Sequence, residues 1–257
     1  MRDSLTGRVV VVTGAGSGIG LEVVRLFAGE GCRLVAADLD PSACEGLPGV
    51  HAVTVDLGTA EGARRVAAAA LDHFGGVDIL VNNVAVAPYR DAFTEVDDAA
   101  WQHTWEVNVM SCVRLCRELI PMMVGRGGGS VVNIGSEAAR HPKPYLVDYA
   151  VSKAALLALA KALSMEYGSA GVRVNTVAPG PTRTSTMNRF LGSLARRLGV
   201  DPEAAAEHFV REMRGLALGR MNEPADVAAV VRFLAGSAAR QVTGAEYAVN
   251  GGSTTSM

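Results

Sequence analysis

The sequence predicts a doubly wound α/β fold: one parallel sheet of about seven strands with helices on both faces, built as a single domain over residues 1–257. Three observations carry this expectation. Short β-branched runs alternate with longer helical patterns along the whole chain. The strand runs are near-continuously apolar rather than alternating, so both faces of the sheet must be covered. A glycine-rich turn, TGAGSGIG, joins the first strand to the first helix. Right-handed crossovers between parallel strands then place helices on each face. No linker, repeat or low-complexity segment interrupts the pattern.

The elements follow in order. RVVVVT (8–13) reads as the first strand, with a helix from about Gly18 to Glu30. CRLVAAD (32–38) and HAVTVD (51–56) are the second and third strands, and TAEGARRVAAAALDHF (59–74) is an alanine-rich helix. DILVNN (78–83) is the fourth strand. Residues 97–124 form one long helix, expected to bend or tighten near Pro121 because proline removes an N–H from the helical ladder. GSVVNIGS (129–136) is the fifth strand, and the helix opened by YAVSK (149–153) runs to about Tyr167. VRVNTVAP (172–179) is the sixth strand. Two helices are expected at 188–198 and 203–214. EPADVAAVVRFLAG (223–236) starts with proline in its first turn, where the missing N–H costs nothing, and AEYAVNGG (245–252) is the seventh strand.

Composition excludes several classes of function. The 257 residues are 49% hydrophobic, enough to bury a substantial core. Basic and acidic residues nearly balance, 24 against 26, with no basic block, which argues against nucleic acid. No apolar run reaches membrane-spanning length, and the start MRDSLTGRVVVVTGAG lacks the apolar region of a signal peptide, so a cytoplasmic location is expected. Cys32, Cys44, Cys112 and Cys116 fit neither a zinc site nor a disulfide framework and read as reduced thiols. The five histidines are scattered, so no metal site is expected.

The loop TGAGSGIG carries the first chemistry. The literal GxGxxG string is absent, but glycines stand at 14, 16, 18 and 20 between a strand and a helix. They permit a tight turn and close backbone approach, and the helix N-terminus then receives a pyrophosphate, as in a Rossmann-type fold. The alternative is a merely glycine-rich turn. Asp38 ends the second strand 18 residues past Gly20. A carboxylate there accepts both ribose hydroxyls of an adenosine and repels a 2′-phosphate. Neither Ser17 nor Leu39 supplies a compensating cation, so NAD is expected over NADP. The alternative is a solvated loop aspartate.

TGAGSGIG, the pair Asn82–Asn83, Asn108, Ser136, YAVSK and PGPTRT, taken together and in this order, resemble the short-chain dehydrogenase/reductase family over essentially the whole chain. The resemblance implies roles for matching residues. Tyr149 is the general acid/base, and Lys153 hydrogen-bonds the nicotinamide ribose and lowers the tyrosine pKa. Ser136 holds the substrate oxygen, and Asn108 positions water in a proton relay to the lysine. Gly14, Gly16, Ser17, Gly18, Ile19 and Gly20 cradle the phosphates. Asp56, Leu57 and Asn83 lie along the adenosine. Pro179 and Gly180 cup the nicotinamide, Thr182 offers a backbone amide to its carboxamide, and Thr184 offers a hydroxyl. The sequence departs from the family pattern at Val84 and Ala85, at Gly135 before the serine, and at Asn250.

Elementary chemistry supports the transfer. Tyr149 and Lys153, four apart, project from one helix face. A phenol titrates near ~10, too high for a base at neutral pH. An ammonium and an oxidised nicotinamide both favour the phenolate. The alternative makes Tyr149 a core aromatic and Lys153 a surface residue.

A substrate lid is expected at about 185–219, carrying Met187, Phe190, Leu191 and Leu194. Ser136, Ala138, Tyr149, Met187 and Phe190 are the expected substrate contacts. The apolar lid suggests a bulky, largely apolar secondary alcohol or ketone; the alternative is that these side chains only pack a core. Arg140, His141 and Lys143 either meet an anionic substrate group or lie in a solvated loop. Cys112 and Cys116 read as helix packing, at a subunit contact in one version, and Trp101 and Trp105 as packing residues. The expected function is an NAD(H)-dependent oxidoreductase on a small-molecule alcohol or ketone. An NADH-dependent biosynthetic ketoreductase and a non-catalytic dinucleotide-binding sensor are the competing readings. The resemblance further implies a homo-oligomer, tetramer or dimer.

Overall fold

Seven strands form one sheet: β1 (Val9–Thr13), β2 (Arg33–Asp38), β3 (Val50–Thr54), β4 (Ile79–Asn82), β5 (Gly129–Ile134), β6 (Val172–Pro179) and β7 (Glu246–Val249). The computed structural model describes residues 5–253. All pairings are parallel, and the order is β3-β2-β1-β4-β5-β6-β7. Order reverses between β1 and β4, which opens a crevice at the carboxyl ends of these two strands. Thr13, Asp38, Asn82, Ile134 and Pro179 end their strands along that edge.

The two-residue period of a strand sorts the valine runs between two cores. Val11 and Val35 face a core completed by the helices α2 (Ala60–Phe74), α4 (Ser111–Gly125) and α5 (Val147–Tyr167). Val10, Val12, Leu34 and Ala36 face the other, completed by α1 (Gly18–Gly29) and α8 (Pro224–Ala235). Both faces are therefore covered, which is why the strands read as unbroken apolar runs.

The expected long helix begins as α3 (Asp98–Trp105), passes through a π-helical turn at Glu106–Met110 and continues as α4. The irregularity thus lies at Asn108 and not at Pro121, where α4 runs on to Gly125. Asn108 is drawn off the regular ladder by three side-chain bonds to residues outside its helix. Cys112 and Cys116 are buried on α4 and accept from the Asn82 amide at 3.2 and 3.7 Å. This corrects the subunit-contact version of their role. Trp105 is 37% exposed, so it is not the packing residue expected.

Between β6 and α8 lie α6 (Ser185–Leu198) and α7 (Pro202–His208), followed by a π-helical turn at Phe209–Met213. They share a small core of their own, in which Leu191 and Leu194 are buried against Phe209 and Leu216. Among the described residues no helix is long and apolar enough to cross a membrane.

Candidate active site

The glycine loop is fixed by its surroundings. Gly14 and Gly18 have positive φ of 62° and 55°, which strains any other residue. A Cβ on Gly20 would lie 2.0 Å from the Gly14 carbonyl oxygen, and one on Gly16 would lie 2.1 Å from that of Asp40. Ser17 caps α1 without a side-chain hydrogen bond, and the first turn holds no acidic residue. The N–H groups and positive dipole end of α1 therefore face the loop, a cradle of the kind that fits a pyrophosphate.

Asp38 ends β2 beside this cradle. Its carboxylate accepts from the Gly16 N–H at 2.8 Å and the Asp40 N–H at 3.1 Å. Leu39 is 70% exposed and brings no charge. Asp56 accepts from the Gly58 N–H at 2.8 Å, while the Leu57 side chain is sunk in the core, leaving its backbone for a ligand. Asn83 was expected along an adenosine. Its amide donates to the carbonyls of Thr13 and Gly14 at 2.9 and 3.0 Å, so the side chain braces the phosphate loop.

At the other end of the crevice a cleft of about 460 Å³ opens. Ile19, Asn83, Ser136, Ala138, Tyr149, Lys153, Pro179, Gly180, Thr182, Thr184, Met187 and Phe190 all line it, so it gathers most of the residues singled out in the sequence. The Ser136 hydroxyl accepts from the Ala138 N–H at 3.1 Å and lines the cleft with the Tyr149 phenol. Gly135 admits no serine without rearrangement, because a Cβ there would meet Thr176 Cγ2 at 2.7 Å.

Lys153 is fully buried and donates to the Ile134 carbonyl at 2.7 Å. Burial lowers its pKa to about 8 from the ordinary 10.5, against a small upward pull from Cys112. Burial raises the Tyr149 phenol, and the Ser136 hydroxyl pulls it partly back. The expected lowering of Tyr149 by Lys153 is thus not seen among the chain's own groups. Desolvation dominates both residues.

Asn108 sits behind this pair. Its amide donates to the Val86 carbonyl and the Ser152 hydroxyl, both at 2.9 Å, and its oxygen accepts from the Val86 N–H at 2.8 Å. Ser152 in turn donates to the Tyr149 carbonyl at 2.7 Å. Asn108 therefore locks the π turn against α5, with its side chain already paired. Thr184 caps α6 by accepting from the Met187 N–H at 3.3 Å, and its methyl covers Gly18, 3.1 Å from where a Cβ would stand.

Arg140 pairs with Glu246 at 2.8 Å and does not line the cleft, whereas His141 and Lys143 do. Sequence reasoning missed Glu137, Arg214, Phe209 and the stacked pair Tyr89–Tyr145, all of which line it. Glu137 had a signal, since it follows Ser136 directly. Arg214 had none.

A family model described as "Enoyl-(Acyl carrier protein) reductase" matches residues 14–254. The human "Dehydrogenase/reductase SDR family member 4" is 36% identical over 98% of this chain and 89% of its own length. The chain belongs to the short-chain dehydrogenase/reductase family. Another relative, "Galactitol 2-dehydrogenase (L-tagatose-forming)" of Cereibacter sphaeroides, is 38% identical over 97% of this chain and 96% of its own. Among solved structures, L-sorbose reductase from Gluconobacter frateurii, complexed with NADPH and L-sorbose, superposes with a TM-score of 0.94 at 33% identity, covering 100% of both chains. The short-chain dehydrogenase/reductases are oxidoreductases that use a nicotinamide dinucleotide, and the glycine cradle before α1 fits that group.

Proposed function

We propose that this chain is an NAD-dependent oxidoreductase that moves a hydride between nicotinamide and a secondary alcohol or its ketone. The observation that carries the reading is the joint placement of Ser136, Tyr149 and Lys153 in one cleft beside the glycine cradle. The Ser136 hydroxyl and the Tyr149 phenol both line this cleft, so both can reach one substrate oxygen. Tyr149 gives a proton to a ketone oxygen or takes one from an alcohol. Lys153 would hold the nicotinamide ribose beside it, and the π turn locked by Asn108 fixes α5, which carries both residues. The bound nicotinamide supplies or accepts the hydride.

Asp38 is the ground for NAD. The L-sorbose reductase carries NADPH, but a carboxylate at the end of β2 repels a 2′-phosphate, and neither Ser17 nor Leu39 offsets it. Met187, Phe190 and Phe209 offer a bulky substrate an apolar wall, while Glu137 and Arg214 add a charged one. The expectation of a largely apolar substrate is therefore narrowed to one with an apolar face and a polar one. The galactitol and sorbose enzymes act on a polyol and a ketose, the same alcohol–ketone chemistry. The segment at about 185–219 serves as the lid of a single domain. Val124 on α4 with Val151 and Met165 on α5 are exposed apolar residues suited to a homo-oligomer, tetramer or dimer. Four free, buried thiols suit the reducing cytoplasm.

The test is a panel of secondary alcohols with NAD, read by NADH absorbance, with subunit number measured by light scattering. Binding of NADH without turnover of any alcohol or carbonyl would make the chain a sensor instead.

A further inference from the structure

Glu137 is a buried carboxylate one residue past the catalytic serine, and nothing in the hydride transfer uses it. It joins three segments. Its Oε1 pairs with Arg214, which follows the π-helical turn at the end of the lid. Its Oε2 accepts from the Ser253 hydroxyl near the C-terminus. A Cβ on Gly180 would stand 3.0 Å from the same oxygen, so the carboxylate lies against the segment after β6 that borders the cleft. Glu137 and Arg214 both line the cleft, on its wall and its lid respectively. The Arg214 guanidinium also stands 5.8 Å from the Phe209 ring, which turns an apolar lid face into a mixed one.

Resting on the oxidoreductase reading above, we propose that Glu137 and Arg214 form a polar subsite that selects neutral, oxygen-rich substrates, those with hydroxyls near the reacting carbon. The reason is valence and charge together. A guanidinium has five N–H donors and a carboxylate about four acceptor positions, so the pair keeps capacity beyond its mutual bond. A hydroxyl donates to Glu137 and accepts from Arg214, and so satisfies both. An alkyl chain satisfies neither and leaves the spare donors and acceptors of a largely buried pair unmet, which is costly. An anion gains little from an arginine that Glu137 already neutralises, and is repelled by the carboxylate. Lys143 also lines the cleft and favours anions, so the anionic case belongs in the test.

The experiment compares kcat/KM of the full chain with NADH for three ketones: a six-carbon ketose, 2-hexanone and levulinate. The ketose should be preferred over 2-hexanone by about 10²-fold or more, because a site built to bond hydroxyls rejects analogues that lack them. Arg214→Met should narrow that ratio at least tenfold, mainly through KM of the ketose. A lone buried Glu137 could unfold that variant, so Glu137→Gln/Arg214→Gln is made beside it; its neutral hydrogen-bonding pair should retain part of the preference. NADH fluorescence checks that the nucleotide site survives. Equal use of ketose and 2-hexanone by the wild type, a preference for levulinate, or a parallel loss on all three ketones in both variants would each overturn the subsite alone. Bound NADH with no reduction of any of the three would overturn the subsite and the oxidoreductase reading together.

Discussion

Lys153 Nζ stands 5.6 Å from the centre of the Tyr149 ring and spends a hydrogen bond of 2.7 Å on the Ile134 carbonyl. The lysine therefore makes no hydrogen bond to the tyrosine, and its bond goes to the strand beneath. Beside the phenol it is the Ser136 hydroxyl that pulls the pKa partly back from the rise that burial causes. In the proposed mechanism the roles at the substrate oxygen are divided: Ser136 orients, Tyr149 transfers the proton, and Lys153 would hold the ribose.

Tyr149→Phe keeps the ring and removes the one phenol placed to move the proton. Turnover should fall by about 10²–10⁴-fold, the usual worth of a general acid–base. NADH affinity should change little, since the cradle and Lys153 remain. Steady-state kinetics with fluorescence titration checks both, and a variant keeping most of its kcat would place the proton elsewhere.

Asp38→Asn removes the charge at the end of β2 while retaining an acceptor for the Gly16 or Asp40 N–H. The wild type should use NAD better than NADP. The variant should narrow the ratio of their kcat/KM values by an order of magnitude, ~1.4 kcal/mol. Alanine is the harsher change, because it also releases both N–H groups that the carboxylate now holds. A wild type that favours NADP would refute the assignment.

Asp148 lies one residue ahead of Tyr149 and accepts from Arg90 at 2.5 Å and Thr104 at 2.7 Å. Burial alone raises its pKa, but the bonds from Arg90, Thr104 and the Tyr149 N–H outweigh it and bring it below the usual 3.8. A depressed carboxylate adds stability at pH above its unfolded value, and that stability is lost as pH falls through the folded value. Asp148→Asn should therefore destabilise the protein at pH 7 and flatten the loss of stability below about pH 4. Arg90 retains some solvent contact, so the cost should be ~3 kcal/mol or less, below that of a fully buried pair. Urea midpoints at neutral and acid pH decide it; an unchanged acid limb would remove Asp148 from the account.

The sheet, the glycine loop and the Tyr149–Lys153 pair were legible because each is written locally, whereas Ser136 joined them only through the family resemblance. Strand runs show as valines, the tight turn as alternating glycines, and the Tyr–Lys pair as a four-residue step on one helix face. Long-range partnerships were not. Glu137 is visible beside Ser136, but its partner Arg214 lies in the lid, where nothing nearby in sequence marks it. The π turn escaped for a different reason. Pro121 is the conspicuous residue of its helix, whereas the turn at Asn108 depends on bonds to Val86 and Ser152 that only the folded chain brings within reach. Met187 and Phe190 are expected from the sequence as substrate contacts, apart from Leu191 and Leu194, and the fold has the first two line the cleft and buries the leucines in the lid's own core.

The last expectation concerns the cost of the buried lysine. Burial brings Lys153 to about 8, from 10.5 in its ordinary state. Between these values the unfolded chain binds a proton that the folded chain does not, so this residue makes stability rise with pH across that window. Below it the ammonium is charged in both states and the full penalty applies, roughly 3 kcal/mol for a shift of this size. Lys153→Met keeps the stem's bulk and removes the charge. It should be the more stable protein at pH 7 and lose its advantage as pH climbs from about 8 towards 10.5. Loss of the bond to Ile134 subtracts a constant, so the slope and not the offset is the readout. Cys32 is raised by causes that do not include Lys153, so it is common to both proteins and cancels in the difference. The measurement is the difference in unfolding free energy between wild type and variant at several pH values, alongside turnover. The variant should gain stability while losing activity, the pattern of a charge kept for chemistry at the fold's expense. A difference that does not vary with pH would mean that Lys153 titrates normally in the folded chain.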